Sequence, residues 1–257
     1  MQSGNAPGLQ AYRGQTKQVW SAVTAGSSPP FEMLVGTTAY GNDELYNAAI
    51  LLDRSGHVAS RYFKNHRVMF GEYVPLSDWF PFLQRWSPIG RGLTAGREPT
   101  SFQINDVRFS PNICFESTVP HLIRRQVNQL ASEGKEPDVM INITNDGWFF
   151  GTSCLDLHLA CNVFRSVEMR KTNLVCANTG LSAEIDPYGK ILQQGPRQAT
   201  TTLRAAVKPG DRRSVYRLIG DLPVMGFGLG AMAIGLLAIF LNRNPPGPSE
   251  KSERHSS

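Results

Sequence analysis

The sequence predicts a layered α/β domain followed by one membrane-spanning helix. Short apolar segments with strand character alternate with amphipathic helical segments, which is typical of an α/β layered domain. The chain has 257 residues, 41% of them hydrophobic and 18% charged, so it can bury a large core and does not resemble a disordered chain. Near the C-terminus, Pro223–Leu241 carries no charged side chain and would measure about 28 Å as a helix, close to the thickness of a bilayer core.

The first half of the domain is predicted to contain a helix and then a β-hairpin. Gln10–Ala25 has a helical pattern and is followed by a Ser-Ser-Pro-Pro break. Met33–Gly36 and Ala48–Asp53 are short apolar runs that predict strands. An Asp-Arg-Ser-Gly turn then leads into a further strand, His57–Phe63, which completes the hairpin.

The second half alternates strands and helices. Val107–Cys114 and Val139–Ile143 predict strands, and the second is almost wholly apolar, as expected for a central strand covered on both faces. Val119–Glu133 and Leu155–Arg170 have apolar residues at helical spacing. The remaining predicted strands are Leu174–Ala177, Ser182–Asp186 and Lys190–Leu192. We expect the domain to occupy residues 1–213.

The two ends of the chain differ. The N-terminus lacks the apolar core of a signal peptide. At the other end we predict a transmembrane helix over residues 223–241 and a disordered polar tail over residues 242–257; the alternative for the apolar segment is a buried core helix. The basic side chains nearest the segment are Arg204, Lys208, Arg212, Arg213 and Arg217 before it, and Arg243, Lys251 and Arg254 after it. By the positive-inside rule this count alone places the main domain in the cytoplasm.

Composition excludes several classes of function. The formal net charge is +5 with a pI near 9.1, but the basic residues form no long run, so nucleic acid is not an expected partner. Four cysteines in a chain of this length do not make a disulfide scaffold, and no CxxC pair indicates a zinc site. We therefore expect no metal.

Cys114 is a candidate nucleophile. It ends an apolar strand, and a helix is predicted to start just after it, with Ser117 or Thr118 as the N-cap. Backbone N–H groups at such a junction stabilise a thiolate and can bind an oxyanion. The alternative is a core cysteine, since cysteine is among the most buried residue types. The other three cysteines, Cys154, Cys161 and Cys176, are predicted to be core residues.

A second candidate group lies in the segment RYFKNHRVMFGEYVP. Lys64 ends the hairpin strand, and Glu72 follows a glycine in a turn. A lysine beside a thiolate stabilises it and can bind the oxygen of a tetrahedral intermediate, while a carboxylate can hold that lysine in place. The alternative is a solvated surface pair. His66 is either a base in a Cys/His pair or an ordinary surface histidine.

Several motifs together point to a known family. These are YNAAILLDRSG, RYFKNHRVMFGEYVPL, ICFES, VMINITNDGWF, ANTGLSAEIDPYGKIL, and His158 and Leu159 followed by Arg165 and Glu168. In this order they resemble the carbon–nitrogen hydrolase, or nitrilase-like, domain and within that superfamily the apolipoprotein N-acyltransferases. The resemblance runs from about Met33 to Leu241. It implies a nitrilase-like αββα sandwich, with its N-terminal part missing, followed by one transmembrane helix.

The resemblance also implies roles for individual residues. Cys114 matches the nucleophile, Lys64 the lysine of the catalytic triad, and Glu72 a second glutamate near that lysine. Glu116 matches an acidic residue after the nucleophile, and Phe115 stands where the family usually has tyrosine, so the hydroxyl is lost. The family's general-base glutamate lies in an early WPE-like segment that this sequence does not contain. We therefore expect the chain to be the C-terminal portion of a longer protein and impaired on its own.

The implied reaction is acyl transfer. A phospholipid donates its acyl chain to the cysteine, and the N-terminal amine of a diacylglyceryl-modified apolipoprotein accepts it; no cofactor is implied. The resemblance places the enzyme in the bacterial inner membrane with its catalytic domain on the periplasmic side, against the charge count. The alternatives are a soluble-type amidase and a non-catalytic remnant of the fold.

An aromatic segment follows Glu72. Leu76–Phe102 contains Trp79, Phe80 and Trp86, which as a loop could dip into the bilayer and admit acyl chains. The alternative is a short helix packed on the core. Trp148 either lines the same entrance or packs in the fold.

Overall fold

A computed structural model describes residues 31–243 of the chain except residues 42, 78, 86–91, 208 and 210–212. The helix predicted over Gln10–Ala25 and all but the start of the tail predicted over 242–257 lie outside the described residues. The chain divides between Leu218 and Ile219 into two compact units.

The first sheet of the larger unit is a three-stranded antiparallel meander. It contains β1 (Met33–Gly41), β2 (Glu44–Leu52) and β3 (Val58–Phe63), in that order. The predicted hairpin is confirmed: the Asp53 carboxylate accepts hydrogen bonds from the backbone N–H groups of Ser55 and His57 in the connecting turn. β1 is longer than predicted because its polar second half pairs with the start of β2 up to the Gly41–Glu44 pair.

The second sheet is mixed and has the strand order β4-β5-β6-β7-β8-β9. Its strands are β4 (Phe102–Ile104), β5 (Val107–Ile113), β6 (Val139–Asn145), β7 (Thr172–Asn178), β8 (Ala183–Ile185) and β9 (Ile191–Gln194). The three central strands, β5, β6 and β7, are parallel, and the others pair antiparallel. β6 lies between two parallel partners, which explains its nearly continuous apolar run.

The helices of this unit are α1 (Phe82–Arg85), α2 (Pro120–Ser132) and α3 (Cys154–Met169), together with α4 (Val215–Ile219) up to Leu218. α2 and α3 are the crossover connections from β5 to β6 and from β6 to β7, as predicted. Ile123 and Val127 of α2 pack with Met140 of β6 and Met169 of α3. α4 was not predicted, because five residues are too short for a helical period; its C-terminal carbonyl groups accept hydrogen bonds from Arg124 on α2.

The main core lies between the two sheets. Leu51 and Tyr62 of the first sheet meet Phe109 and Ile113 of the second, all less than a tenth exposed. The described residues therefore stack as sheet, sheet and helix, and this packing brings the end of β3 to the end of β5. The predicted α/β layering is confirmed.

The second unit contains α5 (Leu222–Arg243). Its segment Leu222–Asn242 has a mean hydropathy of 2.3 and is long and apolar enough to cross a membrane. Its large apolar side chains are exposed, unlike those of a buried core helix. The helix predicted over Pro223–Leu241 is confirmed as a helix.

Candidate active site

Cys114 lies where β5 ends. It is the first residue of a 3₁₀ turn, Cys114–Thr118, and has a φ of +52°. A side chain in this left-handed region costs about 1–2 kcal/mol, so the surrounding contacts must hold it there. The side chain is half-buried and packs against the core between the sheets.

The predicted N-cap after Cys114 is wrong. The 3₁₀ turn separates Cys114 from α2, which begins at Pro120 without a side-chain cap. The hydroxyl of Ser117 donates instead to the Cys114 carbonyl at 3.2 Å, and that of Thr118 to the Phe115 carbonyl at 2.8 Å. Both residues close the turn that carries Cys114.

Lys64 follows the end of β3 and is buried, with an ammonium that forms an ion pair with Glu72. The Nζ–Oε1 distance is 2.8 Å. Its backbone N–H donates to the Asn47 carbonyl at 2.8 Å, and its carbonyl accepts from the Gly96 N–H at 2.7 Å. A Cβ on Gly96 would lie 2.2 Å from the Phe63 carbonyl oxygen, so only glycine allows the chain to pass this close to Lys64. The surface-pair alternative is wrong, since the ammonium is almost fully desolvated.

Glu72 serves as an acceptor for three donors. Besides Lys64, it accepts hydrogen bonds from Asn47 Nδ2 at 3.1 Å and from the Val68 N–H at 2.8 Å. Three donors that converge on one carboxylate fix its position. Glu72 is therefore suited to holding the Lys64 side chain in place.

Glu116 joins the segment after Lys64 to the strand before Cys114. Its Oε1 accepts from the backbone N–H groups of Asn65 and His66 at 2.7 and 2.9 Å, and its Oε2 from that of Ile113 at 2.7 Å. The hydroxyl of Tyr62 donates to the same carboxylate. Burial raises the pKa of Glu116, although these hydrogen bonds oppose the shift. One buried side chain thus fixes both halves of the candidate site.

Phe115 lies at the rim of the site, with 40% of its surface exposed. Its ring stacks on that of His66, with centroids 6.2 Å apart. Burial, and then the positive charges of His121 and Lys64, lower the pKa of His66. At neutral pH this favours an uncharged imidazole next to the site.

A polar network behind Cys114 was missed by the sequence interpretation. The Cys114 carbonyl also accepts hydrogen bonds from Asn142 Nδ2 and His158 Nε2, each at 3.1 Å. Asp146 in turn contacts His158, at 3.1 Å between Oδ1 and Nδ1. Asn142 and Asp146 lie in the NxTND motif and His158 in the motif of α3, so the signal was present, but nothing in the sequence linked either to Cys114.

The aromatic side chains predicted to line the entrance are exposed. Trp79 is 81% exposed and Trp148 77%, and Phe80 is also exposed; Trp86 lies outside the described residues. The short helix α1 does form; its Phe82 is exposed and its Leu83 is partly buried. A packing role for Trp148 is wrong, because most of its side chain is exposed. The segments that follow Lys64 and β6 also expose other apolar residues, among them Met69, Phe70, Leu76 and Phe150.

The other three cysteines were predicted to be core residues, and this prediction is wrong. Cys154 and Cys176 are exposed and Cys161 is partly exposed. On α3 the buried face is formed by residues such as Leu155 and Leu159, and neither helical cysteine belongs to it. Among the described residues, no group of three or more His, Cys, Asp or Glu side chains is placed to hold a metal ion.

Comparison with known proteins identifies the family and the fold. The sequence profile of the carbon-nitrogen hydrolase family matches residues 2–217. The chain belongs to this family. Solved structures show the same fold at low sequence identity: a carbon-nitrogen hydrolase from Helicobacter pylori (12% identical, 74% of this chain and 66% of that chain, TM-score 0.52) and a nitrilase-superfamily protein from Saccharomyces cerevisiae (18%, 72% and 62%, TM-score 0.51).

Two curated relatives of this carbon-nitrogen hydrolase chain share one name. It is 32% identical to an apolipoprotein N-acyltransferase from Geobacter metallireducens over 80% of this chain and 39% of the relative. It is 31% identical to another from Rhodopirellula baltica over 69% of this chain and 32% of the relative. The chain thus aligns with about a third to two fifths of the length of these two relatives. The family match and the solved structures confirm the nitrilase-like fold that the motifs predicted.

Proposed function

We propose that this chain supplies the nucleophile and the oxyanion-binding groups of a lipoprotein N-acyltransferase. The observation that carries the proposal is the buried Lys64–Glu72 ion pair, which Glu116 ties to the turn bearing Cys114. The name shared by the relatives supports it. In this proposal residues 1–213 are the nitrilase-like domain, residues 223–241 cross the membrane and residues 242–257 are a polar tail.

The first half-reaction transfers an acyl chain from a phospholipid to Cys114. The thiolate attacks the ester carbonyl, a C–S bond forms, and the C–O bond to the lysophospholipid breaks. The Lys64 ammonium and the backbone N–H of Phe115 stabilise the oxyanion, each at about 3–4 kcal/mol. The thiol proton passes through a base to the departing alkoxide. We match no residue of this chain to the family's general-base glutamate.

The second half-reaction returns the thiol. The N-terminal amine of a diacylglyceryl-modified lipoprotein attacks the thioester, a C–N bond forms, and the C–S bond breaks with the sulfur as leaving group. A thiolate suits both steps because it is a strong nucleophile and a good leaving group. The same base takes the proton from the amine.

Exposed aromatic side chains support a lipid donor. They lie on segments that follow the strands carrying the candidate site: Trp79, Phe80, Trp148 and Phe115. We propose that these side chains together form an apolar patch of the kind that marks a binding site, which enters the bilayer interface and admits the acyl chain. Trp79→Ser should weaken binding of the chain to phospholipid vesicles, while Tyr188→Ser, an exposed aromatic residue at the β8–β9 turn, should not.

The experiment that tests the proposal is a search for the thioester. The full chain in detergent is mixed with phospholipid labelled in its acyl chain, and peptide mass spectrometry locates the label. We expect an acyl group on Cys114 that hydroxylamine removes. Cys114→Ala should abolish it, and Cys154→Ala, at an exposed cysteine outside the site, should leave it unchanged. Labelling by a small amide instead would favour an amidase, and no adduct on a folded chain would favour a non-catalytic remnant.

We propose that the protein resides in the bacterial inner membrane with its catalytic domain on the periplasmic side. A reporter fused after Ser257 tests this. A periplasmic catalytic domain places the C-terminus in the cytoplasm, where green fluorescent protein fluoresces and alkaline phosphatase is inactive. The positive-inside count predicts the opposite pattern.

A further inference from the structure

A buried His–Asp pair lies directly behind the candidate nucleophile. We propose that Asp146 and His158 are positioning residues that hold the peptide bond after Cys114 in the orientation that acyl transfer requires. This inference rests on the proposed function for its consequence in catalysis. The hydrogen bonds themselves are independent of it.

The Cys114 carbonyl is the focus of the network. It accepts hydrogen bonds from His158 Nε2 at 3.1 Å, Asn142 Nδ2 at 3.1 Å and the Ser117 hydroxyl at 3.2 Å. Three donors on one carbonyl exceed what a turn needs to satisfy its backbone. They coincide with the left-handed φ of Cys114, whose cost must be offset by local contacts.

Asp146 fixes the imidazole of His158. Both side chains are buried, and Asp146 Oδ1 lies 3.1 Å from His158 Nδ1 and accepts from the Thr144 hydroxyl at 2.6 Å. A carboxylate accepts, so Nδ1 is the donor in this contact. Nε2, on the other side of the ring, faces the Cys114 carbonyl at 3.1 Å. Asp146 therefore fixes the ring orientation that places Nε2 against the nucleophile's carbonyl.

Gly180 sets the position of Asp146. A Cβ at Gly180 would lie 2.1 Å from Asp146 Oδ2 and 2.8 Å from its Cγ. Any larger residue must displace the carboxylate. This gives a way to disturb the pair without removing either polar side chain.

The network includes a Ser-His-Asp sequence of contacts, with Ser117 Oγ 3.0 Å from His158 Nε2. Ser117 is not a nucleophile, because it is fully buried and its hydroxyl also contacts the Cys114 carbonyl and Asn162 Nδ2. The contacts therefore orient the backbone and do not form a second catalytic triad.

The consequence for catalysis follows from peptide geometry. A trans peptide bond is planar, so the Phe115 N–H points opposite to the Cys114 carbonyl. Because the network holds that carbonyl towards the interior, it directs the Phe115 N–H away from the interior, to the side where an oxyanion would form. Loss of the His158 donor frees this peptide to rotate, and the N–H no longer meets the developing charge.

Two rates separate positioning from general disruption. The background is a chain in which serine replaces Cys154, Cys161 and Cys176, so that Cys114 is the remaining thiol. Its acylation by p-nitrophenyl acetate passes through an oxyanion that must be stabilised, whereas its alkylation by iodoacetamide does not. We expect His158→Ala and Gly180→Ala to slow acylation about 100-fold and to leave alkylation within a few-fold of the parent. His158→Gln, which retains a donor near Nε2, should recover part of the acylation rate. His57→Ala, in an exposed His–Asp pair of the β2–β3 turn, should change neither rate.

A spectroscopic readout tests the hydrogen bond without any reaction. Cys114–Phe115 is the only Cys–Phe pair in the sequence, so labelling with carbonyl-¹³C cysteine and ¹⁵N phenylalanine gives one correlated NMR signal. We expect its carbonyl shift to move upfield in His158→Ala and to stay in place in His57→Ala. An unchanged shift, or equal losses of both rates, overturns the proposal. A moved shift in a chain that no ester acylates supports the positioning and counts against the proposed function.

Discussion

Glu116→Gln is the substitution that most sharply tests how the site is held together. The Glu116 carboxylate is fully buried and accepts from three backbone N–H groups, two at Oε1 and one at Oε2. Glutamine keeps the shape but replaces one acceptor oxygen with an NH₂ donor. Whichever way the amide is turned, at least one buried N–H loses its partner.

The magnitude follows from the better of the two orientations. With the amide nitrogen at the Oε2 position, Ile113 loses its acceptor while Asn65 and His66 keep theirs. One unsatisfied buried donor costs about 1–3 kcal/mol. The reverse orientation leaves two donors unsatisfied and is therefore disfavoured. We expect the free energy of unfolding to fall by about 1–3 kcal/mol.

Denaturant unfolding in detergent, followed by tryptophan fluorescence, measures this loss. Glu133→Gln, at an exposed residue just after α2, is the matched control and should behave like the parent. A Glu116→Gln chain as stable as the parent would refute the reasoning. It would mean that the acid is already protonated when buried and does not accept from all its neighbours.

Three further predictions concern charge and backbone strain. Burial alone would raise the pKa of Glu136, but hydrogen bonds from Arg217 and Lys171 together lower it to about 2. The contribution of Glu136 to the stability of the folded chain is therefore complete above pH 4.5 and is lost as the pH falls towards 2. Glu136→Gln should remove this acid-side slope, about 1–2 kcal/mol after discounting for solvent exposure, in unfolding measured against pH. The free energy of unfolding should be about 1 kcal/mol higher for Cys114→Gly than for Cys114→Ala, because only glycine relieves the left-handed strain at this position. Equal free energies of unfolding for the two variants would contradict the observed φ. Glu72→Gln leaves a buried ammonium without its carboxylate, so its free energy of unfolding should fall by about 3–5 kcal/mol, as measured by denaturant unfolding. Lys64→Met removes the charge itself and should lower the free energy of unfolding by less. The reverse order would contradict the burial of Lys64.

Local patterns predicted most of the described elements. The alternation of apolar segments placed β2, β3, β5 and β6 within a few residues of their observed bounds, because sheet burial selects apolar residues directly. The proximity of Lys64 and Glu72 could also be predicted from the sequence, because they are eight residues apart with a turn between them. Such features depend on neighbours in sequence.

The features that were missed depend on packing between distant segments. His158 meets the Cys114 carbonyl, 44 residues away, only because β5, β6 and β7 pair in parallel with a fixed register. The N-cap prediction failed because a 3₁₀ turn, stabilised by Ser117, comes between strand and helix. The predicted burial of Cys154 was wrong because this residue begins α3, where its side chain is exposed at the end of the helix.

The central claim is that the Cys114 sulfur and the Lys64 side chain face the same site. Lys64→Cys, in a chain where serine replaces the three cysteines outside the site, tests it with dibromobimane, which becomes fluorescent on bridging two nearby thiols. We predict a fluorescent adduct whose peptides contain both positions. The control Lys190→Cys, at an exposed residue in the β8–β9 turn, should give none. Single, unbridged modification of Cys114 and Lys64→Cys would contradict the account.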